Sequence, residues 1–439
     1  MKTLLLAATV VALANAISIP HSFALDGSVD STFQSPQFAA PIPLITVEAG
    51  GTVLYAEAPD NIHFTLGRLT STGAADASIN IGDGPQSITA PIDIGSLHIP
   101  GTTNPATIDV IRPLSNGQIL VGGSFSHFNK VARKLLVRLN ADGSVDTSFN
   151  VGTGFEGNTI SCIEIASDGK IYAGGKFTKF NGGSRNIGIV RLNSDGSLDS
   201  AFADGTISFG ATVTGISLQS DGKVLIDAAY ANASFQATRQ TYRMGASGGL
   251  DATFSQGTGT PSVAAGLRHG LVNTGKILLS GGSGVYNGNT VNSALFRLNS
   301  DGTWDNAYSG VTLGLTGAAS GLIGRFLPAP TGKIYFSGAF DTVSGNTLHG
   351  LARMNADGTL DTSFVPGAFV SPSPGALALQ PDGKLLAGAS TIVGLATKFI
   401  IVRLNGSGAA APPPRIGTTT LSPGGAIQFQ VSNAATVII

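Results

Sequence analysis

The chain has 439 residues and a formal net charge of −1, with 60 glycines and only 12% charged residues. A near-neutral balance excludes a basic field for nucleic acid or an anionic membrane surface. So many glycines with so few charges exclude a helix-rich surface and fit a large β protein with many turns.

Taken in chain order, the first element is a leader, "MKTLLLAATVVALANAIS". Lys2 supplies the positive start, residues 4–13 an apolar run, and Ala14-Asn15-Ala16 a small-x-small cleavage site. The apolar run is shorter than the roughly 20 residues a membrane span needs. Residues 1–16 are therefore expected to be a cleaved secretory signal, with the mature protein secreted or otherwise extracytoplasmic. No later run is apolar enough to predict a transmembrane segment. Cys162 is the sole cysteine, so an exported chain must rely on packing and backbone pairing without disulfides. It sits in the β-type run "ISCIEIA" with no histidine and acid pattern around it, and is expected to be a buried, inert thiol.

After the leader a repeat sets in. Arginines at 68, 138, 191, 243, 297, 353 and 403 are each followed five residues later by glycine. The first six are followed eight residues later by aspartate, as in "RLNADGSVDTSF" at 138–149. A second marker, a turn and a β run, also occurs seven times, as in "DGKIYAGGKF" at 168–177. An insertion is expected within residues 80–107. Each unit reads as four short strands joined by tight turns, and Asp-Gly between β runs is a hairpin signal. Four strands in a repeat of about 40–50 residues predict a propeller blade. The fold class is all-β: a seven-bladed β-propeller of four-stranded blades over residues 25–408. A stacked β-solenoid is the alternative. The chain ends favour the propeller. "ALDGSVDSTF" near the start is the turn and last strand of a unit, and "IIVRLNGSGAAAPPP" near the end lacks that strand. An N-terminal strand completing the last blade would remove an open sheet edge and tie down both termini.

The copied "NADG" resembles part of a calcium loop, but an EF-hand needs a carboxylate at position one and a bidentate acid at position twelve. Arg138 and Phe149 occupy those places. The structural reading accounts for more residues. With Ala141-Asp142-Gly143 as the turn and Gly143 left-handed, Asn140 faces Ser144, Leu139 faces Val145, and Arg138 faces Asp146. Alternation then puts Leu139, Val145 and Phe149 on the other face. The last unit should pair Arg403 with Asp30. Such pairs, if exposed, are worth about 0.2–1 kcal/mol each.

These units are similar to the delta-60 repeat of secreted bacterial β-propeller proteins, whose consensus runs like "DGKILVGGxF…RLNxDGSLDxSF". The resemblance covers roughly residues 25–408, with residues 50–79 degraded ("RLTSTGAADASI"). It implies a propeller and an extracytoplasmic setting, and carries over no catalytic residue.

Candidate ligand-binding residues lie on the loops between second and third strands: His127, Phe128, Asn129, Phe180, Asn181, Tyr286 and Asn287. Aromatic faces stack on sugars and amides hydrogen-bond them, although recurrence also fits loop anchors. The other histidines, His21, His63, His98, His269 and His349, show no metal-ligand spacing. Neither a metal nor a cofactor is predicted. Acids that break the repeat are Asp83, Asp93, Glu156, Glu164, Asp204 and Asp227, and catalysis would need several to converge. Residues 409–415 read as a Pro-rich linker, and 416–439 as a short, partial β tail with Ile427, Phe429 and Val431 alternating. The functional expectation is a monomeric, non-enzymatic binding or scaffold module for a glycan or protein ligand. The alternative is a propeller enzyme acting on polysaccharide, a lyase or hydrolase.

Overall fold

The computed structural model describes residues 26–57, 64–88, 92–94, 97–99, 103–104, 106–203, 211–231, 237–257, 260–261, 268–272, 275–280, 284–291, 295–317, 321–366, 376–393, 396–406, 428–429 and 437–438. The leader, the linker and most of the tail lie outside the described residues. Of the tail, Gln428–Phe429 pairs with Val437–Ile438.

Every regular element among the described residues is a β-strand in an antiparallel sheet. Seven sheets share one plan. The middle strand carries the repeated apolar run, and it pairs with an inner strand on one side and the arginine-bearing strand on the other. The third sheet, for example, sets Ile171–Phe180 between Phe155–Ile165 and Ile189–Leu192. Its counterparts have middle strands Val53–Glu57, Ile119–Ser124, Val224–Ala231, Ile277–Ser280, Ile334–Ala339 and Leu385–Val393. Alternation of the middle strand buries residues on both faces, because neighbouring sheets cover each side. Ile171, Ala173 and Leu192 of the third sheet thus pack with Leu120 and Leu136 of the second. Each such side chain is worth about 1.5–3 kcal/mol when fully buried.

The expected fourth strand is much shorter than predicted. It is a single bridge residue in six of the seven sheets, as at Leu139↔Val145 and Leu192↔Leu198. The fourth sheet has a short strand there, Gly248–Leu250. The cause is local: Asp146 accepts hydrogen bonds from the Ser148 amide (2.9 Å) and hydroxyl (2.7 Å), turning the chain out of the strand. The broken alternation also brings Phe149 under the Arg138 guanidinium, 4.6 Å from its ring centre, instead of on the opposite face.

The turn itself follows the sequence. Asn140 donates its amide to Ser144 O, Asp146 donates to Arg138 O, and Gly143 has φ 89°. Asp142 Oδ1 accepts from the Ser144 amide at 2.9 Å and hydroxyl at 2.7 Å. The copied aspartate therefore closes its own turn.

All seven arginines find their aspartate, at 2.6–2.8 Å, and Arg403 pairs with Asp30 at 2.8 Å across 373 residues of chain. The pairs are far less exposed than a surface pair. Arg353 is 1% exposed and Asp361 7%. A guanidinium reaching past its own sheet explains the burial. Arg68 donates to Ala141 O, Arg138 to Ser194 O, Arg191 to Ala246 O, Arg243 to Ser300 O and Arg297 to Ala356 O. Arg353 reaches Asp26, and Arg403 donates to Ser71 O. Each arginine thus ties one sheet to the turn of the next. These contacts hold the carboxyls down: a Lys170 hydrogen bond, outweighing burial and helped by Ala201 N and Arg191, takes Asp199 to about 2.

The N-terminal residues form the outer edge of the seventh sheet, through bridges Val29↔Leu404 and Phe38↔Phe399. Asp30 N donates to Arg403 O at 2.8 Å, and Asn405 N to Ser28 O at 2.9 Å. The inner strands Leu44–Val47, Thr107–Pro113, Phe155–Ile165, Thr212–Leu218, Arg268–Leu271, Leu322–Pro328 and Leu377–Leu379 lie against one another in chain order, and the last also lies against the first. In the inserted region, Pro85–Ile88 pairs with His127–Phe128, and Ile92–Ile94 with Leu97–Ile99.

Candidate functional site

The inner strands enclose a cavity of about 330 Å³, to which every one of the seven contributes. Four of these strands carry a one-residue bulge at the same register, with Asp109, Ser161, Thr214 and Gly324 as the extra residues. A bulge re-aims side chains that regular pairing would send elsewhere. The first three of these residues line the cavity.

The polar lining is not copied between repeats. Asp109 accepts the Thr159 hydroxyl. Arg112 donates to Ile163 O at 2.7 Å and pairs with Glu164. Arg325 enters from the sixth sheet. Asp227 sits on the middle strand of the fourth sheet, where the other repeats carry Ala56, Gly122, Gly174, Ser280, Ser337 and Gly388. Its carboxylate is 2% exposed. Asp227 Oδ1 accepts from Thr241 at 2.7 Å, and Oδ2 from the His269 amide at 2.8 Å. His269 Nδ1 lies 2.9 Å from Oδ2, but neither ring nitrogen makes a well-angled hydrogen bond. The imidazole therefore lies against the carboxylate without a well-formed hydrogen bond to it.

Room for Asp227 comes from Gly215, its partner in the register. A Cβ at Gly215 would stand 2.9 Å from Asp227 Oδ2. In the third sheet the arrangement is reversed: Cys162 faces Gly174, whose Cβ would meet Cys162 Sγ at 2.7 Å. Burial pushes the Cys162 thiol well above its usual pKa, and Sγ lies 3.8 Å from Val213 O. That is an unreactive thiol at the cavity wall.

The loop residues singled out in sequence have a different role from the one expected. Phe128 and Tyr286 are 0% exposed and Phe180 1%, so their faces are packed and offer no stacking surface. Asn129, Asn181 and Asn287 have φ of 49°, 50° and 48°. Asn129 Oδ1 accepts from Gly84 N at 2.9 Å, and Asn181 Oδ1 from Gly154 N at 3.0 Å. Each aromatic–Asn pair anchors a small hairpin: the ring fills the core, and Asn tolerates the left-handed turn. His127 is half-buried, its Nδ1 2.9 Å from Ser126 Oγ.

Of the repeat-breaking acids, Glu164 and Asp227 come together in the cavity. Asp83 pairs with Lys130 at 2.9 Å and Glu156 with Lys179 at 3.1 Å, both exposed. Asp204 and the Asp93 side chain lie outside the described residues, as do His21, His63 and the His98 side chain. His349 is exposed, 3.4 Å from Asp341. Among the described residues no three His, Cys, Asp or Glu side chains converge as metal ligands. Sequence reasoning missed Asp109, Arg112, His269 and Arg325 as a group, because they come from three different repeats. The available signal was a column: one aspartate among small residues at the position of Asp227.

Five segments, residues 114–149, 166–202, 273–308, 329–364 and 380–410, match the family model described as "Domain of unknown function (DUF5122) beta-propeller". No curated protein matches the chain. Among solved structures, a gluconolactonase from Xanthomonas campestris is 12% identical, covering 74% of this chain and 97% of its own, with a TM-score of 0.36. A glucose dehydrogenase is also 12% identical, covering 87% and 100%, with a TM-score of 0.38. Those five segments are similar to repeats of a β-propeller family.

Proposed function

We propose that the protein is an exported, closed seven-bladed propeller that works as a monomeric binding module, with the central cavity as its ligand seat. Closure is supported by the cycle of arginine contacts, which runs from Arg68 to Arg403 and returns to Ser71. The leader sequence supports export. N-terminal sequencing of secreted protein should begin near Ile17.

One observation carries the binding reading: the polar side chains gathered at the cavity are ones the repeat does not copy. Its size, about 330 Å³, lies at the small end of ligand pockets. Three carboxylates (Asp109, Glu164, Asp227) face two guanidiniums (Arg112, Arg325), so the acids outnumber the guanidiniums by one. An anionic ligand is disfavoured there. A neutral glycan end, able to give and take hydrogen bonds, fits the mixed lining. The test is calorimetry of the mature chain with neutral oligosaccharides. Binding weakened about tenfold by Asp227→Asn, a loss of about 1.4 kcal/mol, supports the reading. Failure of every neutral sugar to bind a folded sample overturns it in favour of a protein ligand.

The enzymatic reading has one observation of its own, the Asp227 carboxylate 2.9 Å from His269 Nδ1, since a carboxylate beside an imidazole favours its taking up a proton as a general base. Release of new reducing ends from polysaccharide, abolished by His269→Ala, would establish it.

A further inference from the structure

A second recess, of about 310 Å³, lies between the loop hairpin of the second sheet and the turn leading into the third. It shares no lining residue with the central cavity. Buried Phe149 and Val151 contribute its apolar wall. Arg133 and Lys134 contribute its charge, His127 lies beside them, and no carboxylate lines it. The acids on the flanking segments are engaged elsewhere, Asp83 with Lys130 and Glu156 with Lys179.

Arg133 and Lys134 have no acidic partner among the described residues, whereas each of the seven repeat arginines does. Arg133 donates through Nη1 to Ala132 O at 2.9 Å, while its Nε is buried with no partner. The backbone around it is held by Arg133 N→Ser126 O and Leu135 N→Phe125 O, both 3.0 Å, with Leu135 at φ 65°. A loop held by these bonds therefore presents a guanidinium and an exposed ammonium at the recess. Guanidinium groups favour planar oxyanions, and two cations in one recess add their fields.

We propose that this recess is a binding site for an anionic saccharide, with its carboxylate or sulfate held by Arg133 and Lys134. The site is independent of the central seat and opposite in charge preference. The test is calorimetry of the mature chain against three probes of equal length: an oligogalacturonate, a sulfated oligosaccharide and a neutral oligosaccharide. One or both anionic probes should bind, more weakly as salt rises, and whichever binds names the group. Lys134→Glu, at an exposed position, should weaken that binding about tenfold with melting unchanged. Arg133→Gln should do the same. Asp227→Asn should leave it unaltered, which separates this site from the central one. Absence of anionic binding, equal binding of the neutral probe, or full binding by Lys134→Glu overturns the proposal.

Discussion

The third and fourth sheets are neighbours of similar plan whose central filling is exchanged at one register position. In the third, Cys162 on the inner strand fills the space and Gly174 yields it; in the fourth, Gly215 yields it and Asp227 fills it. The outer parts are unchanged: Arg191–Asp199 and Arg243–Asp251 both close at 2.7 Å, supported by Lys170 and Lys223. The copied shell therefore tolerates an exchange of volume at the centre. The family model matches the third repeat and passes over the fourth. Chemistry enters where the repeat is allowed to lapse.

The strongest way to break this comparison is Gly174→Asp. The third sheet has no Thr241 equivalent placed for a carboxylate, and the new Cβ would meet Cys162, Val213 and Ile216 within 2.9 Å. A loss of about 3–5 kcal/mol is expected from an uncompensated buried charge, read by denaturant titration. Adding Cys162→Gly should restore part of it by supplying the space that Gly215 supplies next door. Next in size, Arg353→Met strips the most buried of the shared arginines, leaving Asp361 and Asp26 without it, and should cost about 3 kcal/mol. Arg68→Met, whose Asp76 is 20% exposed, should cost nearer 1 kcal/mol. Equal losses would mean that the shell is uniform and burial does not grade it.

Gly215→Ala should cost about 1–2 kcal/mol from overpacking and displace the Asp227 carboxylate, so ligand affinity should fall with it. A pH titration sharpens the common half. Asp199, held at about 2 by Lys170 and its other partners, is lowered below the ordinary value of 3.8. Its contribution is complete above 3.8 and is lost as pH falls through 2, because the unfolded chain takes up protons first. The melting temperature should drop between pH 4 and 2, as followed by circular dichroism. The smallest effect concerns the copied turns. A chelator should leave melting unmoved, since Asp142 is occupied by Ser144; a fall would reinstate the calcium loop.

Repetition made the shell legible. The Arg–Asp spacing of eight, the left-handed Gly143 and the partnership of Asp30 with Arg403 all follow from hairpin geometry applied to copied residues. Their burial did not follow, because the second contact of each arginine lies in another repeat. The loop aromatics were misplaced for the same reason: Phe128 in sequence is equally a stacking face or a core residue, and only packing decides. The cavity was the least legible part. Asp109 points inward through a bulge, and His269 meets Asp227 across a sheet boundary. No local pattern encodes either.

The pairing of residues 28–38 with 399–405 also bears on the order of events during synthesis. The residues around Asp30 have partners, such as Arg403, that are made 373 residues later. Until then their own edge and that of the seventh sheet stay open, and both are sites where another copy could add. A ribosome stalled near residue 395 would release a chain with six sheets buildable and one unfinished. The seventh sheet can thus be completed only once residues 399–405 have been made.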